Sequence, residues 1–278
     1  MPVTVVEEAT GAPESPSGAL QPRQLIVTLY GLYARERGGW LSIASVVRLM
    51  ADLGVEEPAV RSSISRLKRR GLLDARRVDG VAGYALTDVA QEILADGDAR
   101  IFGRRRAEEA DGWLLVVFSV PESERDKRHQ LRSLLTRLGF GTVAPGVWVA
   151  PGHLADEAAE VLERRGLAGY VELFRGAHLG EVSVARWWDL DELHVRYAEF
   201  LDRQEPVRDV AETTPARAFA DYVRLLTDWR RLPYADPGLP LALLPADWNG
   251  ARAADLFADL RGRLAGPAHD HARRLIGG

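Results

Sequence analysis

The sequence contains no cysteine. This absence excludes disulfide bonds, thiolate nucleophiles, and zinc or iron–sulfur sites with cysteine ligands. No apolar run approaches the roughly 18 residues that a membrane-spanning helix needs, and the first residues do not form a basic–apolar–small signal pattern. We therefore expect a cytoplasmic protein that does not associate with membranes.

Sequence signatures of catalysis are also missing. There is no Walker A loop, no G-x-S-x-G elbow and no dinucleotide fingerprint. The six histidines are scattered along the chain at positions 129, 153, 178, 194, 269 and 271. His269 and His271 are two residues apart, a spacing that does not share a helix face. The sequence therefore predicts no catalytic residue, no metal site and no cofactor.

The length of 278 residues favours two or three domains, and 46% hydrophobic residues are enough for a sizeable core. We interpret residues 1–19, rich in Pro, Gly, Ser and Glu, as a disordered tail. Three blocks follow: residues 20–106, 107–180 and 181–278. The pattern predicts an α+β protein with an N-terminal block of helices and one hairpin, a mixed central block and a helical C-terminal block.

Charge is unevenly distributed along the chain. The formal net charge is −4, and residues 1–19 contain three acids and no base. Residues 20–106 contain 15 Lys and Arg against 10 Asp and Glu, a net charge of +5. The remainder of the chain therefore has a net charge of −6. A basic segment in an acidic protein indicates a local site for a polyanion.

Residues 20–106 predict the order helix, helix, helix, hairpin, helix. Gly38-Gly39 ends the first helix, Ser42 caps the second, and Pro58 suits the first turn of the third, which runs to Gly71. Strands at 72–78 and 84–86 are predicted to flank a five-residue loop at 79–83, and Thr87 caps a fourth helix. This is the order of a winged helix-turn-helix.

The second and third blocks have different patterns. Strands and helices in the order βαββαβ, starting with the apolar run Trp113–Val120, predict a ferredoxin-like sandwich. The third block predicts helices at 190–201, 215–231 and 252–264. The proline-rich segment 236–245 predicts a rigid connector.

The third predicted helix has two distinct faces. At about 100° per residue, Val60, Ile64 and Leu67 form one apolar stripe. A helix that enters the major groove needs short polar side chains to approach base edges, and Arg or Lys to bind guanine and phosphate. Side chains of these two kinds lie opposite and beside the stripe: Arg61, Ser62, Ser65, Arg66, Lys68 and Arg69.

The predicted hairpin adds two bases, Arg76 and Arg77, where a wing would touch the neighbouring DNA backbone. From residue 61 to residue 78 there are seven bases and one acid. A solvated basic face is the alternative interpretation. The bases coincide with the wing and with the third helix, which would be the DNA-recognition (reading) helix. We therefore interpret the six residues on that helix, together with Arg76 and Arg77, as the binding site for a double-stranded DNA operator.

The chain resembles the PaaX family of regulators of phenylacetate degradation over nearly its whole length after residue 20. Seven stretches carry the resemblance: Val60-Arg61-Ser62-Ser63-Ile64-Ser65-Arg66-Leu67, Arg69-Arg70-Gly71-Leu72-Leu73, Tyr84-Ala85-Leu86-Thr87, Leu138-Gly139-Phe140-Gly141, Ala144-Pro145-Gly146-Val147-Trp148-Val149, Asp236-Pro237-Gly238-Leu239-Pro240 and Leu243-Leu244-Pro245-Ala246-Asp247-Trp248.

The resemblance implies a winged-helix repressor with a Cas2-like central domain and a helical C-terminal domain. It also implies a homodimer whose repression of an aromatic or acyl-CoA catabolic operon is relieved by a CoA thioester. A metal-dependent Cas2-like nuclease is an alternative function. However, Ser119 stands where nucleases of that type have a metal-binding Asp.

An acyl-CoA effector would need cations for its phosphates. Basic residues near tryptophans in the sequence, together with one tryptophan, are the candidates: Arg175, Arg186, Trp187, Arg230 and Arg231. Surface ion pairs and core packing are the alternatives for these residues. A constitutive DNA-binding regulator without an effector also remains open.

Overall fold

The computed structural model describes residues 20–103, 105–210 and 213–277, so the predicted tail at 1–19 lies outside the described residues. The chain forms two compact units. Of the described residues, the first unit comprises those in 20–102, 199–231 and 251–277, and the second comprises those in 103–198 and 232–250. The three blocks of the sequence analysis stay a prediction of domain organisation. No helix in the described ranges is long and apolar enough to cross a membrane.

The N-terminal part of the first unit has the predicted order of elements. Its four helices and three strands are α1 (Pro22–Leu29), β1 (Trp40–Ser42), α2 (Ile43–Asp52), α3 (Glu57–Arg69), β2 (Leu73–Val78), β3 (Val81–Leu86) and α4 (Asp88–Phe102). The predicted caps of α2 and α4 are present. Ser42 Oγ accepts from the Ser45 amide at 3.0 Å, and Thr87 Oγ1 accepts from the Ala90 amide at 3.1 Å.

The strands form an antiparallel sheet in the order β1-β3-β2. The prediction of a five-residue loop at 79–83 was wrong. Val78 pairs with Val81, so only Asp79 and Gly80 form the turn, with φ angles of 50° and 78°. Two successive positive φ angles match the twist of a tight hairpin, and Asp-Gly adopts them readily. The hairpin is therefore longer and tighter than predicted.

The first unit also contains the C-terminal helices. These are the second half of α7 (Leu190–Arg208), α8 (Pro215–Trp229) and most of α9 (Asn249–Gly277). Thr214 caps α8, since its Oγ1 accepts from the Arg217 amide at 3.2 Å. Helix α9 continues well past its predicted end at residue 264, through Pro267. Buried positions at four-residue spacing continue beyond the proline, so burial outweighs its intrinsic cost: Leu260, Leu264, Ala268 and Ala272.

Helices α8 and α9 contact the N-terminal helices through polar groups. Arg48 on α2 donates to the Leu275 carbonyl of α9 at 2.7 Å, and His271 lies 2.6 Å from the Asp52 carboxylate. Arg224 on α8 donates to the Leu53 carbonyl at 3.0 Å. The helix that precedes α3 is therefore held by the C-terminal helices as well as by its own neighbours.

The second unit contains a four-stranded antiparallel sheet in the order β5-β6-β4-β7. Its elements are β4 (Trp113–Phe118), α5 (Arg125–Arg137), β5 (Gly141–Ala144), β6 (Val147–Pro151), α6 (Ala155–Arg164) and β7 (Val171–Gly176). Alternate residues of β4, Leu114 and Val116, lie in a buried cluster with Leu131 and Leu135 of α5 and Leu162 of α6. Both helices therefore pack into the core of this sheet.

The predicted connector also belongs to the second unit. It contains no helix beyond a short turn at Leu241–Leu243. Its backbone is fixed by hydrogen bonds, because the Gly238 carbonyl accepts from the Ala107 amide at 2.7 Å and the Leu239 carbonyl accepts from Arg106 at 2.8 Å. The Asp236 carboxylate accepts from the Tyr197 hydroxyl at 2.8 Å.

Candidate nucleic-acid interface

Helix α3 divides its residues between core and solvent as its sequence predicts. It begins at Glu57, with Pro58 in the first turn, and ends at Arg69. The residues on its inner face are buried: Val60, Ser63, Ile64 and Leu67. All six predicted DNA-binding residues on this helix are exposed: Arg61, Ser62, Ser65, Arg66, Lys68 and Arg69. The helix thus presents two small hydroxyls and four bases to solvent.

Most of these bases are not neutralised within the protein. Among the residues that the structure describes, no hydrogen bond or ion pair engages the guanidinium groups of Arg66 and Arg69. Lys68 Nζ lies 5.8 Å from the centroid of the Tyr84 ring, a cation–π contact that leaves its charge intact. The second half of α3 therefore presents free positive charge.

Arg61 is the exception. Its Nε donates to Glu57 Oε1 at 2.7 Å across one helical turn. Such an exposed pair contributes little to stability and is readily exchanged for a phosphate. The four-residue spacing of Glu57 and Arg61 is a sufficient sequence signal for this pair.

The β2–β3 hairpin places the last two predicted residues at successive exposed positions of β2, where their side chains leave opposite faces of the strand. Arg76 pairs with Gly83 and Arg77 with Ala82 across the hairpin. The Arg76 carbonyl accepts from Trp40 Nε1 at 3.2 Å, which ties β2 to β1. Arg77 donates to the Gly80 carbonyl at 2.9 Å, which directs its guanidinium toward the turn. Trp40 is a supporting residue that the charge pattern did not indicate.

The five predicted effector residues do not share one unit. Arg175, Arg186 and Trp187 lie in the second unit, where the Arg175 guanidinium donates to the Gly152 carbonyl. Arg230 and Arg231 lie in the first. Arg230 is only 4% exposed and donates to the Gln24 carbonyl at 3.2 Å. The Arg230 guanidinium is therefore buried and hydrogen-bonded to a backbone carbonyl inside the protein.

Comparisons with known proteins cover nearly the whole described chain. The family description "PaaX-like protein" matches residues 21–90, "PaaX protein central Cas2-like domain" matches 106–186, and "PaaX-like protein C-terminal domain" matches 188–274. The transcriptional repressor PaaX of Escherichia coli is 30% identical over 256 residues, which cover 87% of this chain and 79% of that protein. The chain belongs to the PaaX family.

Family membership agrees with the prediction that the chain is a regulator and not an enzyme. The family description also identifies residues 106–186, which make up most of the second unit, as a Cas2-like domain. An uncharacterized protein from Mycobacterium tuberculosis has a similar fold, with a TM-score of 0.59 at 23% identity over 92% of this chain and all of that one. In the described residues, no group of three or more acidic or histidine side chains is arranged to hold a metal ion.

Proposed function

We propose that this PaaX-family chain is a cytoplasmic, sequence-specific DNA-binding transcriptional repressor. Residues 20–106 form its winged helix-turn-helix, with α2 and α3 as the helix pair and β2–β3 as the wing. The exposed basic face of α3, with two arginines on the hairpin, is the observation that carries the proposal. Arg66, Lys68 and Arg69 on that face have no carboxylate partner among the described residues. The repressor function of the Escherichia coli relative supports it.

The chemistry of the side chains on this surface indicates which of them contact bases and which contact phosphates. Ser62 and Ser65 are short enough to let α3 approach base edges closely. Arg66 can donate two hydrogen bonds to a guanine edge, while Arg76 and Arg77 on the wing bind phosphates. Base contacts supply sequence discrimination, and phosphate contacts supply affinity and register.

A separate prediction concerns Arg76 on the wing. Arg76→Ala is expected to weaken binding to every duplex to a similar degree, because a phosphate contact has no preference for sequence. Its loss should also lower the slope of log affinity against log salt concentration by about 1. Titrations of operator and unrelated DNA at several salt concentrations measure both effects. A loss confined to the operator would assign Arg76 to base reading instead.

Symmetry makes another prediction. One winged helix contacts too few base pairs to be selective in a genome, so we propose a homodimer that binds a palindrome. The half-sites are expected about 34–36 Å apart, or a multiple of that distance. Selection of bound duplexes from a random pool, with light scattering of the free protein, tests both claims. A monomer that binds a single half-site tightly would contradict them.

The second unit is proposed to be a ferredoxin-like sandwich. The order βαββαβ and the sheet order β5-β6-β4-β7 support this assignment. A nuclease function would need carboxylates to hold a metal ion against phosphate. Ser119, directly after β4, offers a hydroxyl only, and its amide donates to the Tyr170 carbonyl at 3.1 Å. We therefore favour the regulatory function over the nuclease.

Relief of repression by an acyl-CoA thioester rests on the family resemblance. For derepression, the ligand must bind the DNA-incompetent state more tightly than the DNA-bound state; a hundredfold preference corresponds to about 2.7 kcal/mol. Phenylacetyl-CoA titrated into an operator complex is expected to release the DNA. If it binds without changing operator affinity, or does not bind, the constitutive alternative holds and the DNA-binding proposal is unaffected.

A further inference from the structure

A cavity of about 730 Å³ lies entirely within the second unit. Three stretches of chain form its walls: residues 108–113, 177–190 and the connector at 240–245, with Pro151 at the end of β6. Small-molecule sites usually have volumes of about 300–1,000 Å³. The cavity is therefore large enough for a drug-sized ligand, and no residue proposed to bind DNA lines it.

The first wall is pre-formed by hydrogen bonds between backbone amides and carboxylate side chains. The Glu108 amide donates to Asp111 Oδ2 at 2.8 Å, and the Glu108 side chain accepts from the Asp111 amide in return. The Glu108 amide also holds the pKa of the Asp111 carboxyl below its usual range. Gly152 packs so closely here that a Cβ atom would lie 2.1 Å from the Asp111 carbonyl oxygen. This wall keeps its shape without a ligand.

The apolar part of the lining suits a flat ring. Trp113 lines the cavity, and its ring packs against that of Trp187 in an edge-on arrangement with centroids 5.4 Å apart. Aliphatic and proline side chains form most of the remaining surface: Val182, Val184, Leu190, Pro240, Leu243 and Leu244. A planar, apolar ligand body would replace water against these groups favourably.

The charged part of the lining is acidic. Glu108, Glu109 and Glu181 line the cavity, and His178 is the one further titratable side chain among the described lining residues. These described residues include no lysine or arginine. The phosphates of CoA would therefore face three carboxylates, whereas an ammonium group would be attracted to them and to the tryptophan ring.

We propose that this cavity binds a small arylalkyl amine, a ligand with a flat apolar body and one positive charge, and that it rejects anionic ligands. The proposal goes beyond the DNA-binding function and does not depend on it. The cavity is also distinct from the predicted CoA site, since none of the five residues predicted to bind CoA lines the cavity.

The test compares three ligands of nearly equal shape with the full-length protein. Phenethylamine, phenylacetamide and phenylacetate have charges of +1, 0 and −1 on similar skeletons. In calorimetric titrations at low salt, the amine is expected to bind at least about tenfold more tightly than the acid, with the amide between them. Tighter binding of phenylacetate than of phenethylamine would overturn the proposal.

Variants locate the binding in the cavity. Glu109→Gln combined with Glu181→Gln should reduce the preference for amine over acid to about threefold or less, while the matched control Glu163→Gln on α6 leaves it unchanged. Ala185→Trp, at an exposed position in the wall, should abolish binding of amine and amide alike. Unchanged amine binding in Ala185→Trp would contradict the proposal. Operator affinity of the ligand-free protein is measured separately. Failure of the cavity proposal is therefore distinguishable from failure of the DNA-binding proposal.

Discussion

Replacing Arg66 by alanine is expected to weaken operator binding by about 1–3 kcal/mol, a factor of about 5 to 150. The same change should affect unrelated duplexes much less. Arg66 is exposed on α3, and its guanidinium has no partner among the described residues, so all of its donors are available to a base. A two-hydrogen-bond contact with guanine is specific to one position of the operator, and its loss should relax preference at that position alone.

The measurement is a binding titration of Arg66→Ala against the operator, against each single-base variant of it, and against unrelated DNA. Arg132→Ala on α5 is the matched control, because it removes the same charge from an exposed site outside the proposed interface. The control is expected to keep the base preferences of the unmodified protein. Unchanged operator affinity in Arg66→Ala would remove this residue from the reading face.

Leu67→Ala is expected to destabilise the first unit by about 2–5 kcal/mol. Leu67 follows Arg66 in sequence but lies on the opposite face of α3, where it is 1% exposed. Removing its branched end leaves a cavity between the reading helix and the core. The cost depends on how far the neighbouring side chains can relax into that space.

Hydrogen exchange of the α3 amides, followed by mass spectrometry, measures this effect in the intact protein. It reports the free energy of opening for the helix itself, which a single melting temperature does not supply for a chain of two units. Arg66→Ala is the control and should change the opening free energy by no more than about 0.5 kcal/mol. Equal protection of α3 in Leu67→Ala and in the unmodified protein would contradict the assignment of its two faces.

The sequence predicted α3 correctly because the apolar stripe on this helix has the α-helical period. Val60, Ile64 and Leu67 are buried as expected. The caps at Ser42 and Thr87 were also predicted correctly, since a capping hydrogen bond needs only a side chain and an amide two or three residues away. Local patterns with a local physical cause were therefore sufficient for these elements.

Other features depend on contacts between residues that are far apart in the sequence. Helix α9 continues through Pro267 because distant side chains bury its apolar stripe. Arg230 donates to the carbonyl of Gln24, 206 residues away, a contact that the sequence around Trp229 does not reveal. Proximity to a tryptophan in sequence does not show which unit a side chain enters.

Two of the C-terminal helices, α8 and α9, contact the first helix of the proposed helix-turn-helix. Arg48 and Asp52 on α2 contact α9, and the Leu53 carbonyl at the end of α2 contacts α8. Helix α2 is the first helix of the proposed helix-turn-helix. Any rearrangement of α8 or α9 would therefore act directly on the element that positions α3.

The absence of cysteine permits the most direct test of the central proposal, because one introduced thiol can be labelled at a single site. Ser65→Cys, carrying an iron chelate that cleaves nearby DNA, should cut the operator within the major groove of each half-site. Asp259→Cys on the exposed face of α9 is the control and should give no localised cleavage. Cleavage from Ser65→Cys at paired, symmetric positions would place α3 in the groove. If operator binding is retained without localised cleavage from Ser65→Cys, α3 is not the reading helix.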